Sequence, residues 1–283
     1  MAKSILVRYG EISLKGKNRI KFENKLIDNI KKAVECRVKR IPGRFIINLD
    51  NQSNIDEQIK NLKKVFGIIS LSIAEKVDLD LDKINDECFK QAKAKKFSTF
   101  RIKVQRLYKK LKTSPEIERE VGAYIVKKTS KKVKLKNPDL TLFIEIVESA
   151  YIFTEKIKCH GGLPTGIEGN VILLLGEGIG NSNSVLAGIL MMRRGCDLYP
   201  FSFGGKISKN DWDILESYGS KPINIVKDMD ELEKEARKKA CRAVVVGQTL
   251  DNFSEIKTNF PILRPLIVYD EKEINVRLDN FRK

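Results

Sequence analysis

Residues 37–49 are Arg37-Val38-Lys39-Arg40-Ile41-Pro42-Gly43-Arg44-Phe45-Ile46-Ile47-Asn48-Leu49, and this stretch decides the fold of the N-terminal part of the chain. It contains two runs typical of strands, 37–41 and 44–49, joined by Pro42-Gly43. Proline holds φ near about −65°, and glycine adopts the positive φ that the third residue of a type II turn requires. The sequence therefore predicts a tight β-hairpin.

The segments on either side of this hairpin complete a β-α-β-β-α-β order. Ile5 to Tyr9 is a short apolar run that predicts a strand. Residues 18–34 carry apolar side chains at helical spacing, and residues 54–65 predict a second helix. Ile68 to Val77 predicts the last strand. This order is typical of a ferredoxin-like domain, which we place at residues 1–77.

Residues 78–160 predict a second domain of mixed helices and strands. Leu81 to Lys96 is expected to be helical, and Thr99 to Arg106 alternates apolar with polar side chains, as half-buried strands do. Ser114 and Pro115 mark a helix start, since serine caps free N–H groups and proline fits the first helical position. Further strands are predicted at 132–135, 140–147 and 150–157.

A glycine-rich linker, residues 161–169, precedes a C-terminal part that we place at residues 170–283. Val171 to Leu175 and Ala243 to Val246 are continuously apolar runs, which are typical of parallel strands covered on both faces. We predict a Rossmann-like parallel sheet, so the whole chain combines α+β with α/β architecture. Its elements are strands at 171–175, 197–203, 222–226 and 242–246, and helices at 183–194, 208–218 and 228–240.

The net positive charge of the chain lies entirely in its first two predicted domains. Residues 1–165 hold 37 Lys and Arg against 20 Asp and Glu, whereas residues 166–283 hold 17 of each. A like-charged surface repels itself unless an anionic partner offsets the charge. We therefore favour nucleic acid as the partner over a solvated lysine-rich surface, with an anionic membrane third.

The cysteines and the single histidine exclude several classes of chemistry. The five cysteines are scattered without Cys-x-x-Cys spacing, which argues against a disulfide framework and a zinc site and predicts buried or half-buried thiols. His160 lies beside the linker glycines, where we expect an exposed loop residue. The sequence contains no run of about 18 apolar residues and no signal-peptide pattern, so we expect a cytoplasmic protein without a membrane partner or bound metal.

Basic clusters in the first two domains form the candidate RNA surface. The segment 101–112 has an almost wholly cationic polar face, in which Tyr108 can stack on a base. A second cluster lies in the loop that leads into the first helix. The candidate RNA-binding residues are Arg8, Lys15, Lys17, Arg19, Arg44, Arg101, Lys103, Arg106, Tyr108, Lys109 and Lys110.

A glycine-rich stretch, Gly176 to Ser184, follows the first strand of the C-terminal sheet and opens a helix. Backbone N–H groups and the helix dipole at such a position can hold a phosphate. The stretch matches neither Gly-x-Gly-x-x-Gly nor a Walker loop, and Glu177 would place a negative charge beside the phosphate. Two interpretations of this stretch therefore stay open, a nucleotide site and a strand-to-helix turn without a ligand. No catalytic residue is assigned.

Several motifs in one order resemble the tRNA 4-thiouridine synthetase family. The resemblance spans nearly the full chain and is strongest over residues 1–166. The segments that carry it are Leu6 to Arg19, Val65-Phe66-Gly67-Ile68, residues 100–106, Pro115-Glu116-Ile117, Lys136-Asn137-Pro138-Asp139, Gly161 to Gly166, Gln248 to Asp251 and Phe260 to Leu266.

The resemblance implies a THUMP domain at residues 78–160 that, with the ferredoxin-like domain, grips tRNA and engages its acceptor end. It also implies that residues 170–283 form a PP-loop domain, which in the family binds ATP and adenylates a uridine before sulfur transfer. Residue-by-residue matching to the family places the nucleotide near Leu173, Leu174, Ser202, Phe203, Gly247 and Gln248. The glycine-rich stretch adds Gly176, Gly178 and Gly180 as nucleotide-binding candidates.

Two departures from the family pattern affect this implied site. The family's ATP loop is Ser-Gly-Gly-x-Asp-Ser, whereas Gly176 to Ser184 has extra residues and no aspartate. The family's catalytic cysteine follows the Arg-Pro-Leu segment, and the 17 residues after Leu266 include no cysteine. The interval between the loop and Gln248 is also short. These departures predict a degenerate PP-loop domain.

We therefore predict a tRNA-binding protein related to the synthetase, with a degenerate ATP site. The alternative is an active tRNA sulfurtransferase that uses ATP and Mg²⁺ to make 4-thiouridine, with a sulfur carrier or the cysteine supplied by a partner enzyme. A third hypothesis is a basic protein that binds RNA without selecting tRNA. The sequence leaves both a monomer and a dimer open.

Overall fold

The computed structural model describes residues 2–49, 54–108, 111–175, 181–204 and 208–282, which divide into two compact units. Unit 1 comprises Met1–Tyr9, Val34–Lys60 and Ile69–Cys159. Unit 2 comprises Gly10–Ala33, Asn61–Ile68 and His160–Lys283. The first helix of the chain therefore groups with the C-terminal part rather than with the strands that flank it in sequence.

Helices and strands are interspersed along the described residues. Up to residue 158 they are β1 (Ala2–Tyr9), α1 (Arg19–Ala33), β2 (Val38–Ile41), β3 (Arg44–Asn48), α2 (Ile55–Lys63), β4 (Ile68–Val77), α3 (Leu81–Lys93), β5 (Thr99–Arg106), α4 (Ser114–Thr129), β6 (Lys132–Val133), β7 (Leu140–Ile146), β8 (Ala150–Phe153) and β9 (Ile157–Lys158). Beyond it they are β10 (Gly169–Leu175), α5 (Asn181–Arg193), β11 (Cys196–Ser202), α6 (Lys209–Ser217), β12 (Asn224–Ile225), α7 (Met229–Lys238), β13 (Cys241–Val245), β14 (Ile262–Leu263) and α8 (Glu271–Arg282).

Unit 1 is built on one sheet in the order β2-β3-β1-β4-β8-β7-β5-β6, with β9 paired to β4. The hairpin predicted at 37–49 is confirmed, because β2 and β3 are antiparallel, Ile41 pairs with Arg44, and Gly43 has a φ of +75°. One face of the sheet is covered by α3 and α4, against which alternate residues of β5 and β7 such as Ile102 and Ile144 pack. Strands from both N-terminal domains thus share one sheet.

The starts of α3 and α4 show how local sequence sets the helix ends. Asp80 caps α3 and accepts a hydrogen bond from the Lys83 N–H at 2.9 Å. At α4 the expectation of a Ser114 cap is wrong, since Thr113 is the N-cap residue. The Glu116 carboxylate reaches back and accepts from the Thr113 N–H at 2.7 Å, which draws Ser114 into the first turn.

Unit 2 contains a five-stranded sheet in the order β12-β11-β10-β13-β14, and every pair is parallel. Counted from its own first strand this order is 3-2-1-4-5, so the Rossmann-like prediction is confirmed. The sequence analysis missed β14, which has only two residues, and α8. The helix was detectable, because Ile274, Leu278 and Phe281 are buried at helical spacing.

The expectation that His160 is an exposed loop residue is wrong. Its ring is half-buried in an aromatic cluster of unit 2, with a centroid 4.6 Å from that of Phe281. Its Nε2 lies 2.9 Å from the Tyr218 hydroxyl, and the Tyr218 ring stacks on Phe66 at 5.1 Å. Folding brings these four residues together from positions far apart in the chain, so composition around His160 alone could not reveal the cluster.

Other expectations concern thiols, membranes and metals. Cys88, Cys159, Cys196 and Cys241 are buried and Cys36 is half-buried, in agreement with the sequence. None of the helices that the structure describes is long and apolar enough to cross a membrane. Over the same described residues, the His, Cys, Asp and Glu side chains form no group of three or more suited to hold a metal ion.

The aromatic cluster around His160 should make the protein sensitive to acid. Burial, and then the charges of the nearby Arg193 and Lys63, lower the pKa of His160 to about 4. An unfolded histidine has a pKa of about 6.5, so between these values the unfolded state binds the extra proton. The histidine's contribution to stability is therefore complete above about pH 6.5 and is lost as the pH falls toward 4.

The measurement is the urea midpoint of unfolding at pH 7.5 and at pH 5.5, for the native sequence and for His160→Phe. Since the chain has a single histidine, the native protein should lose stability over this interval and the variant should lose less. An NMR titration that gives His160 a pKa near 6.5 in the folded protein would contradict the burial argument.

Candidate nucleic-acid interface and nucleotide site

The central feature of unit 1 is a buried carboxylate, Glu145 on β7, held between two arginines. The Arg8 guanidinium on β1 donates to Glu145 Oε1 from Nη2 at 2.8 Å and from Nε at 3.1 Å. Arg44 on β3 forms an ion pair with the second carboxylate oxygen. All three side chains are nearly excluded from solvent, at 11% exposed for Arg8, 6% for Arg44 and 4% for Glu145.

These groups belong to a row of side chains that crosses the sheet on the face opposite α3 and α4. Arg8 also donates to the Ser72 hydroxyl on β4 at 3.0 Å and lies over the Phe153 ring on β8 at 4.9 Å. Phe153 stacks on Phe143 of β7 with centroids 5.1 Å apart, and the Lys156 ammonium lies 4.6 Å from the Phe143 ring. We call this face of the sheet the cationic face; its side chains include Arg44, Glu145, Arg8, Phe153, Phe143 and Lys156.

The cations of this face repel one another. Burial lowers the pKa of Arg8 to about 10, and burial followed by the charge of Arg8 does the same for Arg44, so both stay protonated at neutral pH. Burial and then the charges of Arg8, Lys103 and Arg44 lower the pKa of Lys156. Burial alone lowers the pKa of an amine, and the nearby like charges lower it further because they disfavour the protonated form.

Two of the candidates on β5, Arg101 and Lys103, lie on the same face of the sheet as this row, whereas Arg106 pairs in register with Ile146 of the core beneath α3 and α4. Lys103 pairs in register with Phe143 and is exposed, and Arg101 is half-buried with its guanidinium donating to the Leu135 carbonyl at 3.1 Å. Arg106 donates to the Leu111 carbonyl at 3.2 Å. Tyr108 is 39% exposed, which leaves part of its ring open for stacking. Lys109 and Lys110 lie outside the described residues.

The remaining basic candidates belong to unit 2. Lys15 lies over the Phe22 ring at 4.7 Å, Lys17 is exposed, and Arg19 pairs with Glu23 at 2.7 Å. The α1 lysines Lys25 and Lys32 line a polar cavity of about 280 Å³ in the same unit. Both units have a net positive charge. Unit 2 contains 26 Lys and Arg against 20 Asp and Glu, and unit 1 contains 28 against 17.

The nucleotide candidates gather at one edge of the parallel sheet, where β10, β11 and β13 end. Leu173 and Leu174 are buried inside β10, so their side chains belong to the core. Ser202 ends β11, in register with Leu175 at the end of β10, and Phe203 beside it is 41% exposed. Parallel sheets of this order bind ligands outside the carboxyl ends of the strands, where strand order reverses. Gly176, Gly178 and Gly180 lie outside the described residues.

At this reversal point, the backbone after β13 meets the first turn of α5. A Cβ atom placed on Gly247 would lie 2.5 Å from the Ser184 nitrogen, so only glycine fits this position. Ser184 is 1% exposed, and in the described part of the chain its hydroxyl has no hydrogen-bond partner. Gly247 thus packs the strand end directly against the helix N-terminus.

Gln248, which follows Gly247, is fixed by a hydrogen-bond network. Its amide nitrogen donates to the Ser254 hydroxyl at 2.7 Å, and its amide oxygen accepts from Arg264 Nε at 2.8 Å. Arg264 in turn lies 4.7 Å from the Phe253 ring. Gln248 is fully buried, so its amide is committed to holding the loop after β13.

The sequence analysis missed several members of both sites. Glu145 was detectable, because it is a lone acidic residue in the apolar strand Leu140 to Ile146. Phe143 and Lys156 gave no local signal, since one completes an alternating strand and the other is one lysine among many. Ser184 was included only as the last residue of the glycine-rich stretch, with no role assigned.

Two family models match the N-terminal part of the chain. The "ThiI ferredoxin-like domain" matches residues 4–72 and the "THUMP domain" matches residues 78–155. With the parallel sheet of unit 2, these domains define a class of protein that joins two N-terminal domains to a Rossmann-like domain. Among solved structures, "PH1313 from Pyrococcus horikoshii" is 33% identical with a TM-score of 0.84, and each chain covers 99% of the other.

A second solved structure, a "4-thiouridine synthetase - RNA complex with bound ATP", is 28% identical with a TM-score of 0.82, covering 99% of this chain and 85% of that one. A "probable tRNA sulfurtransferase" of Thermoanaerobacter is 33% identical over 320 residues, which cover 95% of this chain and 83% of that protein. The chain belongs to the tRNA sulfurtransferase (4-thiouridine synthetase) family.

The two sulfurtransferase relatives are longer than this chain. The match to the "probable tRNA sulfurtransferase" of Clostridium kluyveri is 41% identical over 204 residues, but it spans only about half of that protein, 52%. The 320-position alignment with the Thermoanaerobacter protein exceeds the 283 residues of this chain, so that relative has residues without a counterpart here.

Removal of the charge of Glu145 should destabilise unit 1. Glu145→Gln leaves two buried guanidinium groups without a counter-charge, and breaking a buried ion pair from one side typically costs about 3–5 kcal/mol. The control is Glu148→Gln, whose exposed carboxylate pairs with Lys39 and whose loss should change stability by less than about 0.5 kcal/mol. The measurement is the urea midpoint of unfolding of the two variants, monitored by circular dichroism. Equal midpoints would contradict a stabilising role for the buried Glu145.

Proposed function

We propose that this protein binds tRNA, and that the cationic face of unit 1 is a principal contact surface. The observation that carries the proposal is the surplus of positive charge on this face, where the described residues have one buried carboxylate, Glu145, against Arg8, Arg44, Lys103 and Lys156. Contacts of lysine and arginine with phosphates supply most of the affinity of proteins for nucleic acids. The exposed part of Tyr108 adds aromatic surface on which a base can stack.

Membership of the family supports tRNA rather than another anion as the ligand. The relatives are named for tRNA sulfurtransfer, and one solved relative is a complex with RNA. The basic residues of α1 in unit 2 supply additional phosphate contacts. Binding should therefore depend on both units, although the C-terminal segment has no net charge of its own.

A charge-reversal experiment in the full-length chain tests the basic residues of β5, of which Lys103 lies on the cationic face. The triple variant Arg101→Glu, Lys103→Glu, Arg106→Glu should weaken binding of an unmodified tRNA transcript. Its salt dependence should become shallower, by about 0.7 to 0.9 in log–log slope for each phosphate that the variant no longer neutralises. The control reverses Lys93, Lys95 and Lys96, exposed lysines at the end of α3, with the same change in net charge. If both variants bind equally weakly, only net charge matters and the proposed surface is wrong.

We propose further that the nucleotide site is degenerate. The stretch Gly176 to Ser184 contains no carboxylate at which a Mg²⁺ ion could bind except Glu177, whose charge would oppose a polyphosphate. Without a preorganised anion site, the reaction lacks the electrostatic stabilisation that phosphoryl and adenylyl transfer require. On this proposal, the C-terminal domain completes the fold and helps to hold tRNA, and it does not activate the uridine.

One observation favours the alternative, an active ATP-dependent sulfurtransferase whose sulfur comes from a partner. Gly247 packs closely on the first turn of α5, and the Ser184 hydroxyl has no hydrogen-bond partner among the described residues. These two features lie at the place where parallel sheets of this order hold phosphates. A solved relative contains bound ATP. The residues present could hold the adenosine part of a nucleotide at this edge.

Calorimetric titration with Mg-ATP, with and without tRNA, separates the two functions. The degenerate site should give no stoichiometric binding in a sample that still binds tRNA. A clear isotherm that disappears in Gly247→Ala, whose added Cβ displaces the first turn of α5, would overturn the degenerate site and favour the alternative. Gly122→Ala is the matched control, since that glycine lies in α4 with no atom closer than 4.0 Å to the new Cβ.

A further inference from the structure

The cationic face contains more positive charge than its own residues neutralise. Glu145 is shared by Arg8 and Arg44, which leaves one of these two buried charges without a counter-charge among the described residues. The ammonium groups of Lys156 and Lys103 add two further positive charges, and burial together with the charges of Arg8, Lys103 and Arg44 lowers the pKa of Lys156. Partly desolvated like charges raise the free energy of the folded protein unless an anion joins them.

The hydrogen bonds of the same groups are also incomplete. Arg44 is 5% exposed, and its Nε has no hydrogen-bond partner in the part of the chain that the structure describes. Buried polar groups in folded proteins are usually satisfied, and an exception at a charged group indicates a missing ligand or water. The surplus charge and the unsatisfied donor occur in one place on the sheet.

Lys156 is the member of this group that an external anion can reach. It is exposed at the backbone segment between β8 and β9, and its ammonium is held 4.6 Å from the Phe143 ring. Lys103 pairs in register with Phe143 and is also exposed, so two accessible ammonium groups flank one aromatic ring. Behind them, Arg8 lies on the Phe153 ring that stacks on Phe143.

We propose that Lys156, Lys103 and the ring of Phe143 form a subsite for a single phosphodiester of the bound RNA, with the buried Arg8 and Arg44 supplying an uncompensated positive field behind it. The subsite rests on the proposed tRNA-binding function and assigns a position within it. Lys156 and Lys103 donate to the phosphate oxygens, and the aromatic ring supports the lysine stems and the adjoining nucleotide.

The chemistry of the site favours a phosphodiester over a carboxylate or a small metabolite. The two accessible donors are ammonium groups that act as point charges and impose little directional selectivity, which suits a phosphate carried on a backbone. The subsite is an open face beside an aromatic ring rather than an enclosed cavity, so most of a small ligand's surface would remain in water. A polyanion that makes further contacts elsewhere can still bind there tightly.

The test uses the full-length protein and an unmodified tRNA transcript, with affinity measured over a range of KCl concentrations. Lys156→Gln should weaken binding about tenfold, as expected for loss of one charge-assisted hydrogen bond. It should also make the slope of log affinity against log salt shallower by about 0.7 to 0.9, the effect of one phosphate contact. Lys156→Arg keeps the charge and should keep the native slope.

The matched control is Lys158→Gln, which removes an exposed lysine two residues further along the chain and should leave affinity and slope unchanged. A Lys156→Gln protein that melts like the native protein but binds with native affinity and slope would overturn the subsite, as would an equal loss in Lys158→Gln. If the native chain itself does not bind the transcript, the proposed function fails and the subsite fails with it. If only the Lys156 effect is missing, tRNA binding stands and the subsite is wrong.

Discussion

The placement of Glu145 between Arg8 and Arg44 is the constraint on which unit 1 depends. It joins residues 137 positions apart in sequence, and it connects β3 and β1 of the ferredoxin-like domain with β7 of the THUMP domain through one carboxylate. A buried ion group of this kind tolerates no loss of a partner, because each remaining charge is desolvated. The ferredoxin-like and THUMP strands therefore form one sheet whose register is fixed by side chains as well as by backbone hydrogen bonds.

The same interaction connects stability with function. A fully neutralised set of side chains would stabilise the sheet more, yet the two arginines share one acid, and Lys103 and Lys156 add further charge. Proteins usually retain such locally unfavourable arrangements at binding sites, where the ligand supplies the missing interaction. In this chain the missing interaction is a negative charge, which agrees with RNA as the partner.

Unit 2 depends on a different constraint, the close approach of backbone segments. Gly247 permits the strand end to touch the first turn of α5, and the cluster of Phe66, His160, Tyr218 and Phe281 packs the linker and α8 onto the same core. The groups that could hold a phosphate at this edge are backbone N–H groups and one serine hydroxyl. The fold sets the positions of these groups. A metal-assisted reaction needs a carboxylate as well, and that requires an Asp or Glu side chain in the sequence.

The sequence by itself determined the elements and the fold class, because hydrophobic periodicity, the Pro42-Gly43 turn and the apolar runs of β10 and β13 are local signals. It also determined the excess of positive charge and the order of the family motifs. Only the tertiary structure decided that α1 groups with the C-terminal unit, that Arg8 and Arg44 are buried against Glu145, and that Lys156 lies on the Phe143 ring. Those facts depend on contacts between residues 13 to 137 positions apart, and the sequence around a residue does not show which distant residue it will contact.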